Sequence, residues 1–299
     1  MSRLKECILV LVFLSLMIPS NLIGHVNANY PGNKCLEFDG LDDYIGCSEL
    51  NAQRFTIELW VKPKYRIEAG SDSVYQHETG FLISIGSTIL GYFNYKSGDL
   101  HLDLYIYAGY GGYPKYVRYA GSRHVWEPLW YHIAIVHDGS TLTCYVNATV
   151  DLIANIRQVI PYGDIYHLEY YSAAGRIGTA INDTSLAFGG LIDEVRYWNI
   201  SRSPAEITQT FNRILNATEI SSPNLVGYWR LDDGPGATSC NDYSLRKTDA
   251  QLGGSPSTPL WTDIGAPIIP EFPSFLILPL VFLLTLSVAM IRRRKGATK

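Results

Sequence analysis

Apolar and polar residues alternate with period two along several stretches of this chain, the pattern of a strand with one face turned inward. Phe55 to Val61 shows it most clearly, reading Phe-Thr-Ile-Glu-Leu-Trp-Val before Lys62-Pro63 ends the run. Leu100 to Tyr107, Trp130 to Val136, Leu142 to Val146 and Ile192 to Trp198 repeat it. Asp138-Gly139, between two of these stretches, predicts a hairpin turn because such a pair tolerates positive φ. One helix of about three turns is expected. Ser203-Pro204-Ala205-Glu206 supplies a capping serine, a proline at the first helical position and the glutamate of a capping box. Ile207 and Phe211 then share a face, continued by Ile214 and Leu215.

The two ends break this pattern. Arg3 and Lys5 precede an apolar run from Cys7 to Ile18, and Val26-Asn27-Ala28 reads as a small-x-small cleavage site. Residues 1–28 are therefore expected to be a secretory signal. Phe272 to Ile291 is twenty residues without a charge, followed at once by Arg292-Arg293-Arg294-Lys295. That length suits a membrane-spanning helix, and a basic cluster beside it prefers the cytoplasmic side. The expected organisation is a β-domain over residues 29–263, a Pro-rich stalk over 264–271, a span over 272–291 and a cytoplasmic tail over 292–299. The domain would face outward at the cell surface.

Charge changes the picture once these ends are set aside. They hold seven of the 24 Lys and Arg and two of the 28 Asp and Glu, leaving 17 against 26, a charge of −9. So acidic a body repels phosphate backbones, and no nucleic-acid partner is expected. Four cysteines remain beyond the signal: Cys35, Cys47, Cys144 and Cys240. Four allow three pairings. The expected one is 35–47 with 144–240, although aligning Phe38 with Ile45 on the core side would point the first two sulfurs to opposite faces. Buried free thiols are the alternative. Asn147, Asn182, Asn199 and Asn216 each begin an Asn-x-Ser/Thr triplet, a candidate glycan acceptor in an exported chain.

Three blocks carry a resemblance. Leu36-Glu37-Phe38-Asp39-Gly40-Leu41-Asp42-Asp43-Tyr44-Ile45 with Phe55 to Pro63, Trp130 to Asn147, and Gly189 to Asn199 leading into Ser203-Pro204-Ala205-Glu206-Ile207 stand in the order of the laminin-G-like family. That family is concanavalin A-like and pentraxin-related. The resemblance implies a two-sheet antiparallel jelly-roll sandwich, with Leu225 to Gly234 as a further strand. In the C-terminal tail, Pro270-Glu271-Phe272-Pro273 with its apolar run and basic end resembles archaeal PEF-type surface sorting signals. Such a tail can be removed and the protein held by lipid instead.

The same resemblance implies one structural Ca²⁺, with Asp39, Asp42 and Asp193 at the matching positions. Hard carboxylate oxygens suit that ion. Tyr105, Tyr107, Tyr110, Tyr113 and Tyr116 crowd one glycine-containing stretch. Flat aromatic faces with a hydroxyl tip can stack on sugar rings, so these are the candidate ligand-binding residues, although tyrosine is also an ordinary strand residue. No paired carboxylates at glucanase spacing, no metal-binding histidine motif and no nucleophile elbow occur, so catalysis is not expected. The expected role is recognition or adhesion, toward carbohydrate or another surface protein. The alternative is a structural envelope protein without a soluble ligand.

Overall fold

The structure is a computed structural model that describes residues 32–47, 54–64, 80–85, 88–96, 99–110, 113–124, 129–155, 175–179 and 187–268. Between residues 85 and 124, and at 81 and 155, it describes the backbone alone. The chain opens with β1 (Cys35–Asp39), β2 (Ile45–Cys47), β3 (Phe55–Pro63) and β4 (Gly80–Ile85). Then come β5 (Thr88–Lys96), β6 (Asp99–Tyr110), β7 (Tyr113–His124) and β8 (Tyr131–His137). β9 (Thr141–Val146), β10 (Thr149–Asn155), β11 (Gly175–Ile177) and β12 (Gly189–Trp198) follow. Two short helices, α1 (Pro204–Thr210) and α2 (Ala217–Ile220), precede β13 (Leu225–Trp229), β14 (Ser239–Cys240), β15 (Ala250–Leu252) and β16 (Leu260–Thr262).

These strands form two antiparallel eight-stranded sheets, a jelly-roll sandwich. The first runs β10-β9-β8-β3-β12-β1-β16, and the second β14-β15-β2-β11-β4-β5-β6-β7. β12 is long enough to serve two partners in the first sheet. Its start pairs with β1, Ile192 opposite Leu36, and its end with β13, Val195 opposite Trp229. Residues 225–262 are thus built into both sheets, since β15 pairs with β2 and β16 with β1.

Alternation explains the core. Ile57, Leu59 and Val61 of β3 and Leu36 and Phe38 of β1 point inward against Ile45, Leu82, Ile177 and Ala250 of the second sheet, all but fully buried. Each large side chain so buried contributes about 1.5–3 kcal/mol. The intervening residues Thr56, Glu58 and Trp60 are buried as well. Their face is covered by α1 and its flanking loops: Trp60 packs on Phe211, Ile214, Ala266 and Ile268, and its indole N–H donates to the Phe211 carbonyl at 2.8 Å.

Two boundaries differ from the sequence reading. α1 ends at Thr210 after seven residues, and a second capping box, Asn216 with Glu219, starts α2. The expected stalk does not begin at 264. Ala266 and Ile268 are buried, and the Ala266 backbone bonds to Asn33 and Asp193, so this segment belongs to the domain. Gly190 shows how tightly the sheet is set. Its φ is +145°, and a Cβ there would lie 2.4 Å from the Lys62 carbonyl oxygen. Gly190→Ala is expected to lower stability by about 1–3 kcal/mol, read from the urea unfolding midpoint.

Candidate functional site

The first sheet hands the chain to the second through Asp39–Tyr44. Gly40, at φ +81°, lets this turn close against Gly189, where a Cβ would come within 3.3 Å of the Gly189 Cα. The turn gathers Asp39, Asp42 and Asp43, with one carboxylate oxygen of each within 4.8 Å of the others. Asp39 Oδ1 accepts from the Leu41 N–H at 2.7 Å, Asp43 Oδ2 from the Asp39 N–H at 2.8 Å, and Asp42 Oδ2 from the Ser257 hydroxyl at 2.9 Å. Beside the turn, the Arg176 guanidinium stacks 4.2 Å over the Tyr44 ring. Burial, with Asp39 and Asp42 close by, pushes the Asp43 carboxyl up to about 6 despite its backbone hydrogen bond. Carboxylates held this close can keep a proton or share a cation. Ligands on opposite sides of a Ca²⁺ ion lie about 5 Å apart, so the cluster has a fitting size.

Asp193 is not part of it. The strand register sets Asp39 opposite Gly189, four residues from Asp193, roughly 13 Å along the strand. Asp193 is fully buried and accepts from the Glu194 and Ala266 N–H groups, at 2.8 and 2.7 Å. Burial and the neighbouring Glu194 raise its pKa well above the usual range. Next to the core-facing Ile192, Asp193 turns to the other face of β12, where the segment carrying Ala266 covers it; a bulge follows, in which Asp193 pairs with Trp60 but Arg196 with Glu58, and Glu194 takes φ +50° between them. Asp43 completes the acidic group instead, and it already stood in the Asp-Gly-Leu-Asp-Asp run.

The bulge gathers a second, closed set of charges. Arg196 donates to Glu194 Oε2 at 3.0 Å and to the carbonyls of Thr210 and Arg213, and the Tyr228 hydroxyl donates to Glu194 at 2.6 Å. Arg202 pairs with Glu58, and His132 Nε2 lies 3.4 Å from the same carboxylate. Burial alone would raise the Glu58 pKa, but His132, Arg202 and Arg196 bring it down to about 2. Burial lowers that of His132. Glu58 and His132 are 0% and 1% exposed, which sets this network to holding the covering loops on the sheet.

The candidate tyrosines fall on β6 and β7, where the backbone register sets Tyr107 opposite Tyr116, Tyr110 opposite Tyr113 and Tyr105 opposite Arg118. Their side chains lie outside the described residues.

The cysteines do not pair as expected. All four are free and buried. Cys35 stands in the first sheet and Cys47 in the second, because β1 and β2 diverge rather than form a hairpin; Cys144 and Cys240 are likewise in different sheets. Burial pushes the Cys47 thiol up to about 12 and raises the other three thiols as well. Iodoacetamide at pH 8 is therefore expected to leave these four unmodified in the folded chain and to label all of them in guanidinium, by intact mass.

Asn147 is exposed on the β9–β10 turn, with its Oδ1 accepting from the His132 N–H. Asn199 is half-buried, and Asn216 caps α2 through its side chain. Asn182 lies outside the described residues. So do residues 1–28 and 269–299. Among the described residues no helix is long and apolar enough to cross a membrane.

Comparison with known families finds a match over residues 39–208 to the concanavalin A-like lectin/glucanases superfamily. The chain belongs to that superfamily. The match takes in the acidic turn, the tyrosine hairpin and the bulged strand, and does not reach the C-terminal tail. Among solved structures, one from Bacteroides ovatus, for which carbohydrate binding has been suggested, aligns at 18% identity and a TM-score of 0.54. The alignment covers 79% of this chain and 61% of that one, so the chain spans about three fifths of that protein. A pentraxin from Limulus polyphemus aligns at 15% identity and 0.41 over 59% of this chain and 80% of its own. Domain 4 of a GH43 extracellular arabinanase from Geobacillus stearothermophilus, in complex with arabinotriose, aligns at 18% and 0.38 over 62% and 79%. No curated protein matches.

Proposed function

We propose that the protein is a non-catalytic carbohydrate-recognition module held at the outer cell surface, with Phe272 to Ile291 as its membrane anchor. The observation that carries this reading is the cross-strand pairing of tyrosines on the β6–β7 hairpin within a concanavalin A-like sandwich. A cross-strand pair of tyrosines can give one face of a hairpin an aromatic platform for a sugar ring. A binding role rather than hydrolysis fits the closed state of Glu58 and His132, which no substrate reaches. Asp39, Asp42 and Asp43 would hold one Ca²⁺ that fixes the turn between the sheets and takes no part in chemistry.

The test is a polysaccharide pull-down with the full chain in detergent, run with and without EDTA, alongside assay of each polysaccharide for reducing ends. Retention without cleavage supports recognition. Retention of no polysaccharide favours a structural envelope protein, and release of reducing ends overturns the non-catalytic reading.

A further inference from the structure

We propose that the corner of the sandwich around Leu129 and Trp130 docks against the lipid surface, an inference that rests on Phe272 to Ile291 spanning the membrane. Ile268 is the last described residue, and it is fixed to the domain by packing with Trp60, Ala266, Trp130, Phe211 and Ile214. Three residues separate it from Phe272. Four extended steps reach at most about 14 Å. So short a tether brings the face around Ile268 down to the membrane rather than letting the domain stand clear.

The surface at that place suits lipid. Leu129 is 43% exposed beside the half-buried Trp130, which packs with Ile268. Val61 pairs with Tyr131, which sets Lys62 and the exposed Lys64, ion-paired with Glu37, at the same end of the sheet as this corner, with the Asp39 turn two strands further along. Tryptophan and leucine flanked by lysine match the boundary layer, where apolar bodies enter and charged tips remain wet. Ile153 is exposed as well, but it belongs to the opposite end. The register from Ile153 through Thr143 and Val136 to Thr56 sets it five residues along β3 from Val61, roughly 17 Å away.

Leu129→Cys and Ile153→Cys, each labelled with bimane in the full chain, would be reconstituted in phosphatidylcholine liposomes with and without headgroup-nitroxide lipid. The parent chain serves as blank. The expected result is loss of most of the fluorescence at position 129 with nitroxide lipid and none at 153. Flotation with the liposomes but equal, weak quenching at both sites would overturn the docking and leave the anchor standing. Failure to float would overturn both.

Discussion

Glu58→Ala is expected to cost about 3–5 kcal/mol, because it leaves the buried Arg202 and Arg196 guanidinium groups facing an empty place where their carboxylate stood. Typical domains hold only about 5–15 kcal/mol in total, so the variant should stand near the edge of folding. The loss is local in origin. Arg202 also donates to Thr210 Oγ1 and the Glu206 carbonyl, and it stacks 4.4 Å from the Trp198 ring. Freeing it loosens α1 and the loop that covers Trp60. A contrasting variant, Lys64→Ala, removes an exposed ion pair with Glu37 and should change stability by less than about 1 kcal/mol. Guanidinium unfolding midpoints of the two variants make the comparison, and a Glu58→Ala loss no larger than that of Lys64→Ala would show that the network does not hold the layer.

Calcium is expected to give the second large effect. A hundredfold excess over the dissociation constant stabilises a folded protein by about 2.7 kcal/mol. Ca²⁺ should therefore raise the melting temperature at pH 7.5, and Asp43→Asn should remove most of the rise. The sign with pH follows from the raised carboxyl. An acid whose folded pKa is about 6 rather than 3.8 keeps its proton longer in the folded state, so its contribution to stability falls as pH climbs through that window. In EDTA the melting temperature should drop from pH 4 to 6 by more in the wild type than in Asp43→Asn. Because protons compete with the ion, the Ca²⁺ response should be weaker at pH 5 than at 7.5. A melting temperature indifferent to Ca²⁺ at pH 7.5 would remove the ion from this turn.

How much of this was legible beforehand depends on the kind of feature. β3, β8, β9 and β12 announced themselves by alternation, and α1 by a capping box whose hydrogen bonds the structure shows. Properties fixed by tertiary neighbours were hidden. Nothing in Ile-Asp-Glu-Val reveals that the glutamate turns to positive φ, or that the segment carrying Ala266 folds over Asp193. Nothing between Cys35 and Cys47 reveals that the chain changes sheets there. The segment from Ile264 reads as a stalk by composition, yet Asn33, Trp60 and Asp193 draw it onto the domain. The acidic turn was half legible: the run of aspartates stood in the sequence, and only the fold selects Asp43 as the third.

The sugar-binding claim itself rests on the β6–β7 hairpin, and one affinity measurement tests it. For a polysaccharide retained by the wild type, titration calorimetry would compare it with the double variant Tyr107→Ala, Tyr116→Ala, after circular dichroism shows that the fold is kept. Loss of two stacking faces predicts about tenfold weaker binding or more, roughly 1.4 kcal/mol. An unchanged dissociation constant in the folded double variant would contradict recognition at this hairpin.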